Sequence, residues 1–135
     1  MSDYNKFYDL DLPFGQMQEE KLRAMLESKG KIEVKAERDI WKTTGNIAIE
    51  IRCRGKESGL SITKADWWWH QLTVNDGDIE AMICIPVTKL KEICKEIYKK
   101  RKTEGKKPTV MGGDDNMAEM ILVPLDKILP HVQNS

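Results

Sequence analysis

The stretch KIEVKAERDIWKTTGNIAIEIRC, residues 31–53, decides the fold class. In its opening part Ile32, Val34 and Ala36 fall on one side, and Lys31, Glu33, Lys35 and Glu37 on the other. Its closing part repeats the pattern, with Ile47, Ile49 and Ile51 set against Ala48, Glu50 and Arg52. Successive side chains of a strand point to opposite faces, so this period of two predicts two amphipathic strands, 31–37 and 46–53, joined by a loop around 42–45. Paired as a hairpin, they would bring Glu33, Lys35 and Glu50 to one side of a sheet.

Working outward, the period changes. Upstream, after the punctuation of Pro13-Phe14-Gly15, Met17, Leu22, Met25 and Leu26 share one helical face, which predicts a helix over 16–28 that stops at Lys29-Gly30. Downstream, residues 55–63 are punctuated by Gly and Ser and run into a short turn or helix near 62–66. Strands are predicted at 67–74 and 79–85, either side of Asn75-Asp76-Gly77-Asp78, a strong hairpin signal. Leu90, Ile93, Cys94, Ile97 and Tyr98 recur at helical spacing and predict a second long helix over 88–102. A tight acidic turn at 112–116, a strand at 117–123 and a short helix at 125–131 complete the chain. The expected class is α/β, with a mixed central sheet flanked by helices in one domain over 1–135.

The 135 residues carry 22 Lys+Arg against 22 Asp+Glu, and no apolar run is long enough to span a membrane. Neutrality argues against binding nucleic acid by bulk positive charge. The charge is segmented, however: residues 29–56 and 87–110 are net positive, while 1–20, 57–86 and 111–135 are net negative. Cys53, Cys84 and Cys94 form no C-x-x-C pair, which argues against a zinc site or a disulfide framework. With a polar, acidic N-terminus, the expected setting is the reducing cytoplasm.

Carboxylates on adjacent strands suit a hard cation such as Mg²⁺, and a neighbouring ammonium can stabilise charge developing on phosphorus. The competing reading of the same alternation is a solvated face of cross-strand Lys–Glu pairs without chemistry. Here the residues resemble a family. Glu19 in the first helix, Ile32-Glu33-Val34-Lys35 and Ile47-Ala48-Ile49-Glu50-Ile51-Arg52 look like the PD-(D/E)XK nuclease superfamily, to which archaeal-type Holliday junction resolvases and many restriction enzymes belong. More narrowly, Phe14-Gly15, Glu33-Val34-Lys35, Thr44-Gly45-Asn46, Ser58-Gly59 and Thr63-x-Ala65-Asp66-Trp67 resemble small phage-type members.

The resemblance implies a restriction-endonuclease-like αβββαβ core and Mg²⁺- or Mn²⁺-dependent cleavage of DNA, including branched or junction DNA, by a homodimer. Glu19, Glu33 and Glu50 would be the metal-binding acids, and Lys35 or Arg52 the cation. The family pattern has Asp where this chain has Glu33, and Lys where it has Arg52. A planar guanidinium is a poor substitute for a compact ammonium, so Lys35 would supply the charge from the neighbouring strand. Glu19 borders the apolar stripe of its helix while Glu20 faces away, which favours Glu19.

Lys95, Lys99, Lys100, Arg101, Lys102, Lys106 and Lys107 gather on the second long helix and beyond its end. They read either as a phosphate-contacting surface, joined by Arg52, or as cations complementing the helix dipole. Alternation puts Trp67 and Trp69 on one face and Trp68 on the other, as core, interface or base-stacking platform. His70 reads as a hydrogen-bonded structural residue. Three functions follow: a metal-dependent endonuclease, an inactive nuclease-fold module that binds nucleic acid or a protein partner, and an α/β interaction module with a merely solvated acidic face.

Overall fold

A computed structural model describes residues 2–27 and 31–129, with side chains from Leu12 onward. The chain divides into two compact units, residues 1–32 and 33–135. The first holds one helix, α1 (Ser2–Glu27), with Pro13 inside it. The expected start after Pro13-Phe14-Gly15 is therefore corrected. A proline removes one intrahelical bond and clashes with the preceding turn, at about 3 kcal/mol, yet the residues on either side keep their own i to i−4 bonds. The predicted stop at Lys29-Gly30 lies outside the described residues, while the last helix ends at Ile128, where Leu129 turns extended, rather than at the expected His131.

In the second unit the α/β class holds. Its elements are β1 (Ile32–Glu37), α2 (Ile40–Thr44), β2 (Asn46–Cys53), β3 (Lys56–Glu57), β4 (Trp67–Val74), β5 (Asp78–Pro86), α3 (Val87–Thr103), β6 (Val110–Gly112), β7 (Ala118–Pro124) and α4 (Leu125–Ile128). The strands form two sheets rather than one central sheet, with orders β1-β4-β5 and β3-β2-β7-β6. The hairpin expected between β1 and β2 does not form, because residues 40–44 coil into α2 and each strand finds a better partner elsewhere. Ile47 lies opposite Val123 and Ile49 opposite Ile121 in an antiparallel pair. All four are buried, and each such aliphatic side chain contributes about 1.5–3 kcal/mol.

The contacts of β1 advance in step along β4. Lys35 lies over Trp68, Glu37 bonds His70 and Thr73, and Asp39 accepts the Asn75 N–H. The two strands therefore run parallel, linked by the long connection that parallel pairs require. Since β4 and β5 are antiparallel, this sheet is mixed. The hairpin turn forms where expected: Asn75 and Asp76 both have positive φ, and the Gly77 N–H closes the turn on the Val74 carbonyl.

One core joins the sheets to α3. Trp68, Leu72 and Ile85 pack in the same cluster as Ile47, Ile49, Leu90, Ile93, Cys94 and Val123. Among the described residues no helix is long and apolar enough to cross a membrane.

Candidate functional site

Burial along β1 does not follow the expected alternation: Ile32 and Glu33 are both half-buried and Lys35 is exposed. Val34 is 56% exposed and Ala36 is open, while Glu33 and Glu37 are half-buried or better. The reason is visible at Glu37. One of its carboxylate oxygens accepts the Ala48 N–H at 2.6 Å and lies 2.9 Å from His70 Nε2. His70, 2% exposed, uses Nδ1 to accept the indole N–H of Trp68 at 3.0 Å. Nδ1 must then carry a lone pair, so the proton sits on Nε2 and is donated to Glu37. The Thr73 hydroxyl donates to the Glu37 carbonyl at 2.6 Å, and Trp41 Nε1 to the Thr73 carbonyl at 2.8 Å. This network ties β1, β2 and β4 together, and His70 is the structural residue its setting predicted.

Lys35 and Glu33 share the side of β1 that carries Glu37, with Lys35 exposed. The Lys35 ammonium stands 5.9 Å from the centroid of the Trp68 ring, a cation–π distance. Among the described residues, Glu33, Glu50 and Lys35 have no hydrogen-bonded or ion-paired side-chain partner. The solvated ladder of cross-strand Lys–Glu pairs is therefore absent from these three side chains.

Glu50 is half-buried on β2, beside an irregularity in the pairing with β7. A Cβ at Gly59 would drive into the Glu50 carbonyl oxygen, so the turn after β3 packs directly on the backbone of Glu50. Gly59 has φ +53°. Next to it, Ser58 donates its N–H to the Ile51 carbonyl, and its hydroxyl oxygen is buried without a partner among the described residues. Ser58 and Gly59 thus form a close shelf under the acid.

The remaining candidates are distributed. Glu19 is exposed on α1, in the other unit. Arg52 lies 3.8 Å from Glu119 of β7, an exposed pair whose guanidinium is engaged across the sheet. Among the described residues no three His, Cys, Asp or Glu side chains are gathered to hold a metal. Glu33 and Glu50 offer carboxylate oxygens of the kind a hard divalent cation takes, and the unpaired state of both fits that use.

The basic cluster is not one surface. Arg101 donates from Nε to the Lys107 carbonyl at 2.7 Å, Lys106 pairs with Glu104 at 3.2 Å, and Lys102 lies 5.8 Å from the Tyr98 ring. These close and cover the end of α3. Lys100 and Lys107 are exposed, while Lys95 and Lys99 line a cavity with Ile51 and Tyr98. Ile49 and Ile51 flank Glu50 and pack toward α3, so Glu50 alternates to the other face of β2. Lys95 and Lys99 therefore lie on the α3 side of β2 and Glu50 on the other.

Sequence reasoning singled out the acids on β1 and β2 but missed Glu37 as the residue that holds the strand in place. Its signal was the conjunction of a strand-end acid with a histidine beside Trp68, which periodicity does not register. No protein-family model, curated protein or solved structure matches the chain.

Proposed function

We propose that the protein is a metal-dependent nuclease that hydrolyses phosphodiester bonds in DNA, of the PD-(D/E)XK type its sequence resembles. The observation that carries this reading is Glu33 itself: it is half-buried on β1, next to the exposed Val34, and has no partner among the described residues. Burying a carboxylate costs free energy unless it is paired or used. Glu37 is paired; Glu33 is available.

Residues 38–45 connect β1 to β2, and the Ala48 N–H bonded to Glu37 ties the two strands together. Glu33 and Glu50 would hold Mg²⁺ or Mn²⁺. When bound, the ion would polarise the phosphodiester and lower the pKa of the attacking water. Lys35, whose ammonium stands 5.9 Å from the Trp68 ring centroid, would stabilise the negative charge that grows on the phosphoryl oxygens. Ser58 and Gly59 would fix the backbone from which Glu50 projects.

A second reading is a nuclease-fold module that binds nucleic acid without cutting it. The separation of Lys95 and Lys99 from the Glu50 face favours it, since a phosphate-gripping surface would then be independent of the acids. An assay of the purified protein on linear, nicked, forked and four-way DNA, with and without Mg²⁺, separates the two. Metal-dependent products that vanish in Glu33→Gln support the nuclease. Salt-sensitive binding with intact DNA on every substrate supports the module.

A further inference from the structure

A cavity of about 370 Å³ opens between α3, the β2–β7 pair and the turn after β3. That volume lies within the range of small-molecule sites. Its floor is apolar, made by Ile51, Leu60 and Ile121. One wall carries Lys91, Lys95 and Lys99, spaced four residues apart and so stacked on one side of α3 at about 6 Å per step. Like charges at this spacing repel each other. None of the three has an acidic partner among the described residues. Tyr98 presents its ring to the same cavity, with the Lys102 ammonium 5.8 Å from the ring centroid. Across from the lysines, Glu57 and Ser61 supply acceptor oxygens.

We propose that this cavity is a nucleotide-binding site, separate from Glu33 and Glu50. The phosphate lies against Lys91, Lys95 and Lys99, the base lies on the apolar floor beside Tyr98, and Glu57 and Ser61 accept hydrogen bonds from donors on the base or ribose. Three unpaired ammonium groups match a multiply charged anion better than a single carboxylate does. A carboxylate at the far end would repel a ligand that is anionic throughout, whereas the N–H and O–H groups of a nucleoside suit it. The apolar floor and the ring fit a flat body rather than a bare phosphate. Because Glu50 turns to the other face of β2, the nucleotide held here is not the one that would be cut, and the inference stands without the hydrolytic reading.

The same phosphorylated nucleoside could be a free nucleotide or the end of a strand. Calorimetric titration of the full chain with adenosine, AMP, ADP and a single-stranded octanucleotide, with and without a 5′-phosphate, distinguishes them. Saturable binding of AMP or ADP assigns a free nucleotide. Binding of the 5′-phosphorylated oligonucleotide without AMP assigns a strand end. In either case adenosine and the unphosphorylated strand should bind at least about tenfold more weakly, and Lys95→Gln with Lys99→Gln should weaken the phosphorylated probe by about tenfold per lysine. Both lysines are exposed, so an unchanged thermal midpoint checks that the double variant folds. Binding unaffected by the double variant, equal binding of adenosine and AMP, or no binding of any probe would overturn the assignment. Probe binding that is unchanged in Glu33→Gln keeps the outcome distinct from that of the Glu33–Glu50 site.

Discussion

Glu37 holds three strands through one carboxylate oxygen. It accepts from Ala48 on β2 and from His70 on β4 while belonging to β1. Truncating it to Ala leaves two sheltered donors without an acceptor, each worth about 1–3 kcal/mol. Glu37→Ala should therefore lower unfolding stability by about 2–5 kcal/mol in urea denaturation followed by tryptophan fluorescence, while Glu37→Gln, which keeps an acceptor oxygen, should lose well under half of that. Equal losses would mean that the carboxylate holds nothing. Cys94 adds an alkaline pH dependence to stability. Burial pushes the Cys94 thiol from 9.0 up to about 12. The unfolded chain then releases this proton before the folded one does, so the stability it contributes is whole below pH 9.0 and is lost as pH rises toward about 12. The urea midpoint of the native chain should fall faster between about pH 9 and 11 than that of Cys94→Val, by up to about 1.4 kcal/mol per pH unit. Parallel profiles would contradict this.

At the scale of elements, local signals were legible and pairing choices were not. The β4–β5 hairpin and α3 lie where turn chemistry and helical spacing put them, because both are decided by residues close in sequence. The partner of β1 is decided by residues more than 30 positions away, His70 and Thr73, which bond Glu37. No periodicity within 31–37 could report that Glu37 would be held there while Val34 stays exposed. Strands β3 and β6 have only 2 and 3 residues, too few to show alternation. The Ser58–Gly59 shelf was visible as a motif, but its role was not. With positive φ and the Glu50 carbonyl against it, Gly59 tolerates no side chain. Gly59→Ala should cost about 2 kcal/mol or more and should reduce any Glu50-dependent activity beyond what stability explains. Stability unchanged within about 0.5 kcal/mol, the margin of an ordinary surface substitution, would refute the close approach.

At the scale of the whole molecule, zero net charge conceals two arrangements that do not face each other. One holds the acids Glu33 on β1 and Glu50 on β2; the other is the lysine-lined cavity beside α3. The acids were legible as residues because the strands advertise them, but their isolation from the basic helix depends on which face of β2 meets α3. The split of the basic cluster into end-closing, exposed and cavity-lining members was equally hidden, since a helical wheel cannot foresee Arg101 reaching the Lys107 carbonyl. The central claim is that Glu33 and Glu50 support metal-dependent hydrolysis with Lys35 beside them. It is tested most directly by single-turnover cleavage of a four-way DNA junction in Mg²⁺ or Mn²⁺, comparing the native chain with Glu50→Gln and Lys35→Ala. The predicted result is metal-dependent cleavage that falls by at least about 100-fold in each variant with folding preserved, the loss typical of a group that stabilises developing charge. Cleavage independent of metal, or undiminished in Glu50→Gln, would contradict the account.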